Sequence, residues 1–143
     1  MADFADEFIT WIKTQTAITA LIGSGTACRC YPDQLKQGVS MPALVFWESG
    51  GETVQLLSGM AGMCRTIMHT YSYGATRTAA NNLDDKVRLA LEGKTMTMGS
   101  TFVTEVYCSS FRDTGTDGTD DGSDAYRYWT HRVYDIWHTE TTS

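Results

Sequence analysis

The sequence predicts an α+β domain, a mostly antiparallel sheet with two main helices packed on one face. Three observations carry this reading. Two segments place apolar residues at three- and four-residue spacings, several β-branched and aromatic runs alternate with period two, and the elements follow the order helix, strands, helix, hairpin. At 143 residues the chain reads as a single domain over 1–143, long enough to bury about two-thirds of the surface its unfolded form exposes.

The first helix is expected over residues 3–22, where Phe4, Phe8, Trp11, Ile12, Ile18 and Leu21 form one apolar stripe. Asp6 and Glu7 suit the positive end of its dipole, and the glycines of "GSG" at 23–25 end it. That "GSG" closes a helix instead of opening one after a strand, so it is a cap and not a dinucleotide fingerprint. "TACRCYP" then reads as a short strand or extended segment. Residues 43–48, "ALVFWE", read as a strong strand that is apolar on both faces. Such a strand needs cover on both sides, and the second cover can be another subunit.

Gly50 and Gly51 are read as a turn or bulge, and residues 54–57 as a weak strand. In 64–73 the alternation is clear. Arg65, Ile67, His69, Tyr71 and Tyr73 point one way, and Cys64, Thr66, Met68, Thr70 and Ser72 the other. Gly74 ends this strand. The second helix follows, with a stripe of Ala79, Ala80, Leu83, Val87, Ala90 and Leu91, an outer face of Arg77, Asn81, Asp84, Asp85 and Arg88, and Gly93 at its C-terminal cap. Its alanines allow close approach to a sheet.

Residues 101–111 and 126–138 supply two more strands. In the latter Tyr126, Tyr128, Tyr134 and Ile136 oppose Trp129, Val133 and Trp137. Between them, "RDTGTDGTDDGSDA" holds five aspartates and three glycines, and is expected to be a mobile acidic hairpin loop at about 112–125. The helix-free sheet face, rich in aromatics and threonines, suits a contact surface better than open water. Pro32 and Pro42 bracket a nine-residue connector. Proline lacks an N–H and cannot sit inside a ladder, so both mark strand edges or turns.

Function classes narrow from composition. Lys and Arg number 11 against 17 Asp and Glu, a formal charge of −6, with no basic run. Neutralising phosphates requires a basic patch, so appreciable DNA binding is not expected. No signal-peptide pattern and no stretch of about 18 apolar residues is present, so no membrane contact is expected and the cytosol is the expected site of synthesis. Cys28, Cys30, Cys64 and Cys108 are then expected as reduced thiols, because "CRC" has no second cysteine pair with zinc-knuckle spacing. The run 117–124 has aspartates for a hard cation but lacks the closing glutamate of a calcium loop. His69, His131 and His138 fall in strands, outside any nucleophile or metal spacing, and are read as structural. No catalytic residue, cofactor or metal site is assigned.

Taken in order, these features resemble the phage tail-completion family, also described as tail terminators or head–tail joining proteins of long-tailed phages. The likeness rests on the opening amphipathic helix, on Tyr31 and Pro32, and on Gly38, Pro42, Ala43, Leu44 and Val45 at the entry to a strand. It continues through the block from "LLSGMAGMCRT" to the helix ending "ALEG", and spans roughly residues 4–138. The acidic segment has no counterpart.

The resemblance implies a non-enzymatic subunit of a homo-oligomeric ring, usually of six. Such a ring sits at the head-proximal end of the tail tube, ends tube polymerisation and meets a capsid connector or neck protein. It implies a virion component assembled in the host cytoplasm, with DNA passing through the ring without specific binding. On this reading the interface candidates are Tyr31, Pro32, Gly38, Pro42 and Trp47, together with Asp117, Asp120, Asp121 and Asp124 of the acidic segment. A head–tail connector or neck adaptor is the nearer alternative. A small cytosolic enzyme or ligand-binding domain, with His69, Tyr71 and the aspartate segment around a pocket, is the other.

Overall fold

A computed structural model describes residues 4–35, 39–56, 59–108, 113–118 and 126–139. Helix α1 spans Phe4–Ile12 and buries Phe4, Phe8, Trp11 and Ile12. The single helix expected over 3–22 is in fact two. The Thr14 hydroxyl donates to the Trp11 carbonyl at 2.6 Å, and the Thr14 and Gln15 amides tighten onto Trp11 and Ile12. A threonine that satisfies a helix carbonyl with its own side chain competes with the next helical turn. Helix α2, Thr16–Ile22, restarts from an extended Gln15. It ends at Gly23, where φ is 90° and a Cβ would lie 2.8 Å from the Ala27 carbonyl oxygen.

Strand β1, Cys30–Pro32, pairs parallel with β2, Ala43–Leu56. Pro32 thus occupies an outer strand and Pro42 precedes one, as a missing N–H requires. Strand β3, Gly59–Gly74, runs antiparallel to β2, and both are longer than the alternation alone indicates. The irregularity expected at Gly50 and Gly51 is a bulge between Glu48 and Gly50. Helix α3, Arg77–Leu91, begins where the Thr76 side chain accepts the Ala79 amide. It lies so close to the sheet that a Cβ on Gly74 would meet the Ala80 nitrogen at 2.5 Å.

Strands β4, Met96–Met98, and β5, Thr101–Cys108, form a tight hairpin through Gly99, whose φ is 59°. The sequence reading missed β4, although "TMTMGSTF" carries the alternation and two-residue turn of a hairpin. Strand β6, Asp113–Gly118, and β7, Tyr126–Thr139, complete the chain. Residues 113–118 are therefore not loop. Strand β7 outruns β5, which reaches only as far as Tyr134, and β6 takes the remaining edge from His131 to Tyr126. The sheet order is β1-β2-β3-β7-β5-β4, with β6 beside β7, and every pairing but β1–β2 is antiparallel.

All three helices contribute to a core on one side of this sheet. Phe8, Ile12, Ile18, Ile22, Leu83, Val87 and Leu91 pack with Leu44, Phe46, Met68, Val103, Tyr134 and Ile136. Apolar burial of this kind is the main favourable term in folding. One residue contradicts the expected outer face of α3. Asp84 is fully buried, and its carboxylate accepts from Arg132 Nη2 at 2.6 Å and Nε at 3.0 Å. It belongs to the inward row Ala80, Asp84, Val87, Leu91, spaced by four, three and four. Arg132 lies inward on β7 between Thr130 and Tyr134. His138 is also inward, stacked on Phe4 with ring centres 4.2 Å apart.

Candidate assembly interface

The opposite sheet face is built by the alternate residues of β2, β3 and β7. Val45 and Trp47 come from β2, Ile67, His69, Tyr71 and Tyr73 from β3, and Trp129, His131, Val133 and Trp137 from β7. The two-faced strand expected at 43–48 is observed: Leu44 and Phe46 enter the helix-covered core, while Val45 and Trp47 lie on this side. Among the described residues no helix packs on it, yet most of these side chains are half-buried because they cover one another.

Their register explains how. Trp47 pairs with His69, and Tyr71 with His131, across neighbouring strands. Trp47 stacks on His69 at 4.9 Å and on Tyr71 at 4.8 Å, and Tyr71 stacks on His131 at 4.6 Å. Trp129 meets Tyr71 at 5.1 Å in a tilted contact. Each such pair contributes about 0.5–1.5 kcal/mol beyond its area. Trp129 also lies over Gly115 of β6, where a Cβ would approach its ring to 2.3 Å, so only glycine fits that position.

At the centre His69 Nδ1 and His131 Nε2 are 2.8 Å apart, with the rings nearly parallel. Asp113 Oδ2 lies 3.7 Å from His131 Nδ1. The carboxylate favours a proton on that Nδ1, which leaves His131 Nε2 to accept from His69 Nδ1–H. Burial, with His131 adding a smaller effect, lowers the His69 pKa. Further along the face Arg65 pairs with Asp135 at 2.8 Å.

The proline-bracketed connector reaches the same place. Asp33, Gln34 and Leu35, directly after Pro32, line an open depression of about 370 Å³ together with Val45, Trp47, Tyr71, Tyr73 and Trp129. The far end of the connector is fixed by Arg29, whose Nε donates to the Pro42 carbonyl at 2.8 Å and Nη2 to the Leu21 carbonyl at 2.9 Å. Of the sequence-stated candidates, Tyr31, Pro32, Pro42 and Trp47 thus belong to one corner of the molecule. Asp117 stands in β6 opposite Arg127. Gly38, Asp120, Asp121 and Asp124 lie outside the described residues. The candidate set did not include Tyr73, Trp129 and His131, although the alternation already grouped Tyr73 with His69 and Tyr71, and Trp129 with Val133 and Trp137, on one face of each strand.

Of the residues that the ligand-binding alternative names, Tyr71 lines this depression and His69 stacks on its Trp47. The depression is wide and shallow, lined by aromatic rings, and suits a protein side chain or segment more than an enclosed small molecule. Among the described residues no group of three His, Cys, Asp or Glu is arranged to hold a metal ion. Burial pushes the Cys30 thiol far above its ordinary range, so it stays protonated at neutral pH. Arg29, Arg65, Arg77, Arg88 and Arg132 are each held by a different group. No helix among the described residues is long and apolar enough to cross a membrane.

Comparison with known proteins adds one finding. A family model described as Tail completion protein gp17 matches residues 7–131, which include both faces of the sheet and the connector. No curated protein matches the chain.

Proposed function

The chain belongs to the phage tail-completion protein family, a structural component of the virion tail, and from this premise we propose that it forms a ring at the head-proximal end of the tail tube. The ring has six subunits, ends tube polymerisation and presents a surface to the capsid connector or neck. Subunits meet through the aromatic sheet face and the connector beside it. The observation that supports this most is the run Trp47, His69, Tyr71, His131 and Trp129, half-buried by mutual stacking on a face with no helix over it. Interface centres are enriched in such aromatics.

Ring contacts are head-to-tail, so the aromatic face of one subunit meets a different surface of the next, and the rotation between them must close. The net charge of −6 keeps DNA moving through the lumen without adhesion. No chemical step is required of the protein, and the role is one of assembly.

Purified tail tube protein, polymerised with and without this chain, tests the proposal by electron microscopy. Tubes formed with the chain should carry a ring of density at one end and stop growing. Bare tube ends with unchanged growth at saturating chain would overturn the reading.

A further inference from the structure

Resting on the assembly reading, we infer that association through the aromatic face is gated by proton uptake at the His69–His131 pair. The two nitrogens facing each other at 2.8 Å can hold one proton between them, with one ring donating and the other accepting. The hydrogen bond therefore exists while His131 Nε2 is unprotonated. A first proton enters at His69 Nε2, the basic nitrogen left over, and charges a ring stacked 4.9 Å from Trp47.

The surroundings allow little compensation once the face is covered. Asp113 of β6 is the acidic group nearest the pair, 3.7 Å from His131 Nδ1, and its side chain is 77% exposed in the single subunit. Asp33 of the connector lies across the depression beside Trp47 and Tyr71. On β3 the phenol of Tyr71 is neutral at these pH values. Arg65 and Asp135, further along β3 and β7, already neutralise each other. A subunit docking here would take the imidazoles further from water, which disfavours their charged forms.

Sign follows from linkage. Burial already lowers the His69 pKa in the single subunit, and docking lowers it again, so the associated state binds fewer protons than the free one. Association is at full strength above the free-subunit pKa and weakens as pH falls through it. The His69 proton that must be released costs up to about tenfold in affinity per pH unit below that point. Acidification thus opens the contact, and return to neutrality restores it.

The test is sedimentation of the full chain, alone and with tail tube protein, from pH 8 to pH 5.5, with circular dichroism recorded on each sample. The wild type should associate with constant affinity from pH 8 down to about 6.5, the ordinary histidine value, and lose affinity progressively as the pH falls further through the lowered His69 value, while remaining folded. His69→Phe/His131→Phe, which keeps two rings and removes the imidazole pair, should lose that slope whatever its affinity at pH 8. His69→Gln serves if the double variant does not fold. His138 is retained in every variant, so an acid effect on the core through it would persist in all of them. A wild type with no slope, or variants with the wild-type slope, would overturn the gate while leaving the assembly reading intact. A chain that stays monomeric at every pH, with and without tube protein, would overturn both.

Discussion

Asp84→Ala should destabilise the protein by about 3–5 kcal/mol, the cost of leaving a buried arginine without its partner. The Arg132 side chain is only 8% exposed and its guanidinium forms a two-pronged contact with the Asp84 carboxylate, while Nη1 reaches Cys108 Sγ at 3.4 Å. Arg132 donates to Asp84, which raises its pKa in the wild type; without that partner the guanidinium still keeps its proton, as arginine does at any ordinary pH, so the cation cannot discharge to escape the penalty. A loss of this size is a large share of the 5–15 kcal/mol that holds a typical domain together. Replacing both partners with apolar residues of similar volume, as in Asp84→Leu/Arg132→Met, should recover most of it. Denaturant unfolding of the three proteins separates the contributions. If Asp84→Ala unfolds within about 0.5 kcal/mol of wild type, the carboxylate is on the surface and α3 is rotated from the orientation described here.

Trp47→Ala should remove association while leaving the fold in place. Trp47 stacks on His69 and Tyr71 and lines the depression beside the connector, so its indole is central to the proposed contact. Central aromatic side chains of this kind cost about 2 kcal/mol or more on truncation, roughly 30-fold in affinity. The lost stacks cost the single subunit about 1–3 kcal/mol, which a stable domain tolerates. Leu89→Ala, on the outer face of α3 where the side chain is 54% exposed, should change neither property. Sedimentation and thermal unfolding of the two variants give the contrast. Association of Trp47→Ala at wild-type strength would place the interface elsewhere.

Much of this architecture is legible in the sequence because its signal is local. The stripe of Leu83, Val87 and Leu91 and the alternation from Arg65 to Tyr73 are periodicities that a few adjacent residues carry, and both appear as read. The aromatic face is legible for the same reason, as is the bulge at Gly50. What stays hidden depends on partners distant in the chain. Asp84 reads as surface by residue type, and its burial follows only from Arg132, 48 positions away. Residues 113–118 read as loop by composition, and they form a strand because β7 offers an unfilled edge. The break after Ile12 is set by one hydroxyl at Thr14, too small a cue to outweigh an apolar stripe that continues in phase across it. The His69–His131 pair needs the register of β3 against β7, which alternation alone does not supply.

Hydroxyl-radical footprinting of the chain free and in assembled tails tests most directly whether the helix-free sheet face is the assembly interface. Trp47, Trp129 and Trp137 lie on that face, whereas Trp11 is buried in the core at 6% exposure and Leu89 stands on the opposite side of the molecule. Modification of Trp47, Trp129 and Tyr71 should fall severalfold on assembly while Leu89 keeps its free-state reactivity. Loss of reactivity at Leu89, with Trp47, Tyr71 and Trp129 unchanged, would contradict the account and assign the contact to the helical side.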